Sequence, residues 1–160
     1  MARRVPTLGR LGARQYLADG LARLPHKGLD IYVEPGTTAL APVSGTARVF
    51  QCPVEEAMGI EIISTDDPQF IVRMFHMNHD LRADAFVTAG EPLGTVVPPR
   101  TTTVSYVTGV STDQTHLHIE AQYPTSEFCE LTSFTSIDGA YYFNSLYLAK
   151  LGVLHVPIGE

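Results

Sequence analysis

The chain has 160 residues, a length that suits one domain and can bury a core without disulfide staples. Its formal net charge is −6, yet residues 1–14 carry Arg3, Arg4, Arg10 and Arg14 with no acid, so the remainder is more acidic still. That balance excludes a basic nucleic-acid surface outside the short arm, which reads as a solvated terminus. Cys52 and Cys129 are the only cysteines, with no Cys-x-x-Cys, which excludes a disulfide scaffold and a thiolate zinc site. A single bridge between the two is the one pairing left open. No apolar run has the length of a membrane span or of a secretory h-region.

In chain order, residues 13–23 predict a short helix weakened by Gly20. After Pro25 the texture turns to β. Ile31–Val33 reads as a strand, Glu34-Pro35-Gly36-Thr37 as a turn, and Ala39–Ala41 as a second short strand. Pro42–Thr46 bends the chain into Ala47–Phe50. Ile60–Ile63 and Phe70–Phe75 are β-rich runs separated by Thr65-Asp66-Asp67-Pro68. Val104–Val107 and Leu117–Ala121 add two more. Short strands with turn signals between them predict a mainly β, antiparallel domain. Near the end, Asp138-Gly139 is read as the start of a helix through Ala140–Lys150, with Gly152 as its stop and its aromatic side packed on the sheet.

The residues with chemical potential are histidines. In His116-Leu117-His118 the two imidazoles leave one face of a strand, with Leu117 anchoring the other. Upstream, His26 and Asp30 frame Lys27-Gly28-Leu29. A catalytic zinc takes three protein ligands and keeps a fourth position for water. His26, Asp30 and one histidine of the 116/118 pair offer two nitrogens and a carboxylate oxygen, a set that suits Zn²⁺. The second histidine then lies roughly 6–7 Å along the strand, near enough to move a proton or stabilise developing charge. His76 ends the Phe70–Phe75 run and is a further candidate, with His79 in the next loop as its competitor. His155 has no chemical partner near it in sequence.

Three ordered blocks resemble the lysostaphin-type zinc endopeptidases of bacterial peptidoglycan, the group that includes LytM and LasA. The first is His26-Lys27-Gly28-Leu29-Asp30-Ile31, continued by Pro35-Gly36-Thr37 and Ala41-Pro42-Val43-Ser44-Gly45-Thr46-Ala47. The second is Met74-Phe75-His76-Met77-Asn78, followed by Val87–Gly94. The third is Thr108–Thr112 and then His116-Leu117-His118-Ile119-Glu120. The resemblance covers residues 26 to about 120. It implies a folded antiparallel sheet with loops walling a groove, one Zn²⁺ on His26, Asp30 and His118, and His76 and His116 as catalytic histidines. The chain departs from the family pattern at Val97–Thr103, where extra residues replace a tight turn, and at Asp113-Gln114-Thr115, where Gly-Pro is usual. Both segments are expected to edge the groove, so they bear on substrate preference more than on catalysis.

The resemblance therefore implies a zinc endopeptidase that cuts cross-links or stem peptides of peptidoglycan. A catalytically silent member of the same fold is the competing reading; the presence of all five residues weighs against it. The expected organisation is an arm and short helix at 1–25, a core at 26–123 and a C-terminal extension at 124–160 packing on the core. The expected partners are peptidoglycan peptides, with no nucleic acid and no membrane insertion. With no visible leader, action on the cell wall implies delivery by lysis, a secretion system or a virion, as for a bacteriophage endolysin with virion or tail partners.

Overall fold

A computed structural model describes residues 7–8, 14–17, 22–25, 28–51, 58–98, 103–105, 115–123, 134–137, 140–143 and 154–159. The protein is mainly β. Its N-terminal strands are β1 (Thr7–Leu8), β2 (Arg14–Leu17), β3 (Ala22–Pro25), β4 (Leu29–Tyr32) and β5 (Thr38–Leu40). Then come β6 (Gly45–Gln51), β7 (Met58–Ser64), β8 (Ile71–Phe75), β9 (Met77–Asn78), β10 (Ala85–Val87) and β11 (Pro92–Val96). The last are β12 (Thr103–Ser105), β13 (His116–Tyr123), β14 (Phe134–Ile137) and β15 (Ala140–Phe143). Among the described residues no helix is long and apolar enough to cross a membrane.

The principal sheet runs β1-β4-β13-β8-β7-β6-β10, every pair antiparallel, with the β14–β15 hairpin joined to the end of β13. Period-two alternation gives this sheet two unlike faces. Leu117, Ile119 and Ala121 of β13, Ile60 and Ile62 of β7, and Val72 and Met74 of β8 point to one side and are fully buried. A small sheet, β5-β11-β9, backs that side through Ala39, Val96 and Met77. The segment 154–159 closes it, with Leu154 in the core and Ile158 bridged to Ala39. The opposite face carries His116, His118 and Glu120 of β13, Asp30 and Tyr32 of β4, Arg73 and Phe75 of β8, and Glu61 of β7.

Where the structure describes them, the spans expected to be helices contain strands. Residues 14–17, inside the span 13–23 read as an N-terminal helix, and residues 22–25, which overlap its end, form β2 and β3 of a three-stranded sheet with β12. A glycine at position 20 lowers the helix propensity of the span, and pairing with β12 gives residues 14–17 the hydrogen bonds that a short helix would have made internally. Residues 140–143, read as the first turn of a C-terminal helix, pair with β14 and with Ala121–Tyr123 of β13. Tyr141, Tyr142 and Phe143 are strand formers. Asp138-Gly139, taken for a helix start, is equally the dipeptide of a two-residue hairpin. Residues 144–150 lie outside the described residues.

Leu117 is 0% exposed between the two histidines that flank it in sequence. Leu117→Ala removes a fully buried side chain from the strand carrying both, and the expected loss is about 2–5 kcal/mol in denaturant unfolding. An unchanged midpoint contradicts its anchoring role.

Candidate active site

The site is built on the seam between β4 and β13. Their antiparallel register sets His118 opposite Asp30 and His116 opposite Tyr32, so all four side chains leave the same face. Asp30 is buried (1% exposed), and its Oδ1 lies 2.8 Å from His118 Nδ1 and 3.7 Å from His116 Nε2. His118 Nε2 is in turn 3.0 Å from Glu120 Oε1. Tyr32 and Phe75 flank the pair, with ring centroids 5.6 Å from His116 and 5.7 Å from His118.

Gly28 makes this seam possible. Its φ is +128°, and a Cβ there would stand 2.3 Å from the Ile119 carbonyl oxygen and 3.1 Å from Glu120 Cγ. Glycine tolerates both the dihedral and the approach. Gly28→Ala is expected to cost about 1–3 kcal/mol in unfolding free energy. Retention of full stability would show that the seam does not depend on the glycine.

His76 arrives from β8 by a different device. The main-sheet strand stops at Phe75, and His76 adopts a left-handed backbone with φ 68° before the chain enters β9 of the small sheet. Its carbonyl accepts the Val97 N–H at 2.8 Å, which holds the kink. A non-glycine residue in this region costs free energy and is concentrated at functional sites. Its ring comes to 4.7 Å from that of His116 and 6.4 Å from that of His118.

The structure thus brings Asp30, His76, His116 and His118 together. His26 lies outside the described residues, as do Cys52 and Cys129 and most of the divergent segments at 97–103 and 113–115. His79 is engaged locally, its Nδ1 accepting the Leu81 N–H at 3.2 Å. His155 is exposed on the C-terminal segment. Sequence reading passed over Glu120 and Tyr32 as members of the site. Each stands two residues after a candidate ligand, so strand periodicity was the available signal.

The donor chemistry fits a divalent ion such as zinc. A buried carboxylate oxygen and an imidazole nitrogen converge on one point, and the imidazole's other nitrogen is already taken by a carboxylate, the pairing usual for a metal-ligating histidine. Among the described residues no group of three His, Cys, Asp or Glu side chains forms a metal site by itself; the third expected ligand is His26.

Beyond the site, the same face carries a row of alternating charge. Arg48 of β6, Glu61 of β7 and Arg73 of β8 are in register, and Arg73 stands opposite Glu120 of β13. Glu61, 1% exposed, accepts from Arg48 Nε at 2.5 Å and from Arg73 Nε at 2.9 Å. The Arg73 guanidinium lies 4.4 Å from the Phe50 ring centre, a cation–π contact that leaves it oriented along the row.

Burial alone would lower the His118 pKa, but hydrogen bonds to Asp30 and Glu120, and then their charges, override it and hold the imidazole well above 6.5. A raised folded-state pKa stabilises the metal-free protein fully below the unfolded value, and the contribution disappears as pH rises through the folded one. Unfolding free energy of the metal-free protein is therefore expected to fall as pH climbs above 6.5 toward and through that raised value. His118→Ala should flatten this part of the profile. A wild-type profile that is flat or rising there contradicts the assignment.

The antiparallel sheet thus gathers a buried aspartate and two histidines on one face, with a third histidine beside them at the end of β8. Residues 24–128 match peptidase family M23, and the chain belongs to that family. Among solved structures, the catalytic domain of the antimicrobial peptidase lysostaphin from Staphylococcus simulans is similar, with a TM-score of 0.53 and 19% identity, covering 77% of this chain and 84% of that one. LytU is similar at a TM-score of 0.52 and 20% identity, covering 76% of this chain and 75% of its own. At such identities the likeness is one of fold. No curated protein matches the sequence significantly.

Proposed function

We infer that the protein is a zinc-dependent endopeptidase acting on the peptides of bacterial peptidoglycan, on the cell-wall side of the envelope. The observation that carries this reading is the convergence of Asp30 Oδ1 and His118 Nδ1 at 2.8 Å beside the His76–His116 pair, in a chain of family M23. His26, Asp30 and His118 are the proposed ligands. An ion held by these residues would add Lewis acidity at the site and make water acidic enough to ionise near neutral pH.

The remaining steps fall to the chain's own residues. His116, with Nε2 3.7 Å from Asp30 Oδ1, is the proposed general base, the aspartate favouring its protonated form once it has taken the proton. His76, with its ring 4.7 Å from that of His116, is the proposed donor to the oxyanion that develops on the carbonyl. The nearness of the two rings equally allows the two roles to be assigned the other way round. Tyr32 and Phe75 flank the histidines with apolar surface, which strengthens electrostatic interactions beside them.

The test is lysis of purified cell walls, followed by turbidity and by mass spectrometry of the released peptides. Removal of metal with a chelator should abolish activity, and zinc should restore it. His76→Ala is expected to lower the rate about 10²–10³-fold with metal content unchanged, whereas His118→Ala should lose the metal. Chelator-treated protein that still clears walls at the full rate, or a His76→Ala variant that does, would overturn the reading.

A further inference from the structure

Glu120 has no part in the chemistry above, yet it is the second carboxylate of the site. It follows His118 by two positions on β13, so both side chains leave the same face. The residue is 8% exposed, and its Oε1 lies 3.0 Å from His118 Nε2. A carboxylate in this contact accepts, so Nε2 is the nitrogen that carries hydrogen. The free lone pair of the neutral ring is then on Nδ1, which faces Asp30 Oδ1 at 2.8 Å.

Two neighbours hold Glu120 in that position. On one side Gly28 leaves the space its Cγ occupies, since a Cβ there would come within 3.1 Å of it. On the other, Arg73 stands directly across the strand pair, and its Nε is committed to Glu61 at 2.9 Å. That commitment leaves Glu120 Oε1 directed to the imidazole.

We propose that Glu120 is a positioning residue that fixes the tautomer and ring orientation of His118, so that Nδ1 is the nitrogen offered to the metal. The inference rests on the zinc reading given above. Carboxylates behind metal-ligating histidines typically account for 10–100-fold in metal affinity, and the same scale is expected here.

Two measurements on the full chain test it. Zinc affinity of wild type, Glu120→Ala and Glu120→Gln is measured by competition with a chromophoric chelator, and long-range ¹⁵N–¹H NMR of the zinc-loaded wild type reports which ring nitrogen of His118 is protonated. Glu120→Ala should bind zinc ~10–100-fold more weakly. Glu120→Gln, whose amide oxygen still accepts the Nε2–H, should recover most of that loss, which a loss of packing alone would not produce. The NMR should show Nε2 protonated and Nδ1 bound, a readout that requires no variant to fold. Wild-type zinc uptake with unchanged affinity in Glu120→Ala, or with His118 bound through Nε2, overturns the positioning role alone. Wild-type protein that takes up no zinc overturns both this role and the zinc reading.

Discussion

The register between β4 and β13 is the constraint on which the rest depends. It sets Asp30 opposite His118 although the two are 88 positions apart in the chain. Side-chain direction alternates with every residue, so a slip of one position would send Asp30 or the histidine pair into the apolar layer. Leu117 and Ile119 on the buried side enforce that register because exposing them would forfeit roughly 1.5–3 kcal/mol each. Packing on one face of the sheet thus determines the chemistry on the other. Gly28 completes the arrangement by letting the β4 backbone come close to Ile119 and Glu120.

The electrostatics of the face follow from the same geometry. Buried carboxylates are tolerated only with partners, and each here has them: Asp30 beside two imidazoles, Glu120 on His118, and Glu61 between Arg48 and Arg73. In the metal-free protein the His118 proton offsets part of the negative charge on Asp30 and Glu120. A divalent cation would offset it in the loaded one. The site is therefore built to hold positive charge at one point, and His76 approaches that point only because the chain accepts a left-handed residue where β8 gives way to β9.

Much of this was legible in the residues. Ile60–Ile63, Phe70–Phe75 and Leu117–Ala121 announce strands through β-branched and apolar alternation, and each lies within or overlaps an observed strand. Asp30, His116 and His118 were legible as one cluster because strand period and motif agreed. Strands stand inside spans read as helix where local signals have two meanings: an Asp-Gly dipeptide suits a hairpin as well as a helix start, and pairing with β12 decided the state of residues 14–17. Glu120 obeys the same alternation as the histidines but carries no motif of its own, so its contact with His118 emerged only with the geometry. The backbone twist at His76 has no sequence signature in a residue other than glycine.

In the proposed site Asp30 and His118 share one zinc ion, the histidine binding through Nδ1. Anomalous diffraction at the zinc edge from crystals grown with the metal tests it most directly. A single strong peak is expected within bonding distance of both Asp30 Oδ1 and His118 Nδ1, with His76 and His116 beside it but not bound. A peak coordinated by His116 in place of His118, or zinc-loaded crystals with no peak on this face of the sheet, would contradict it.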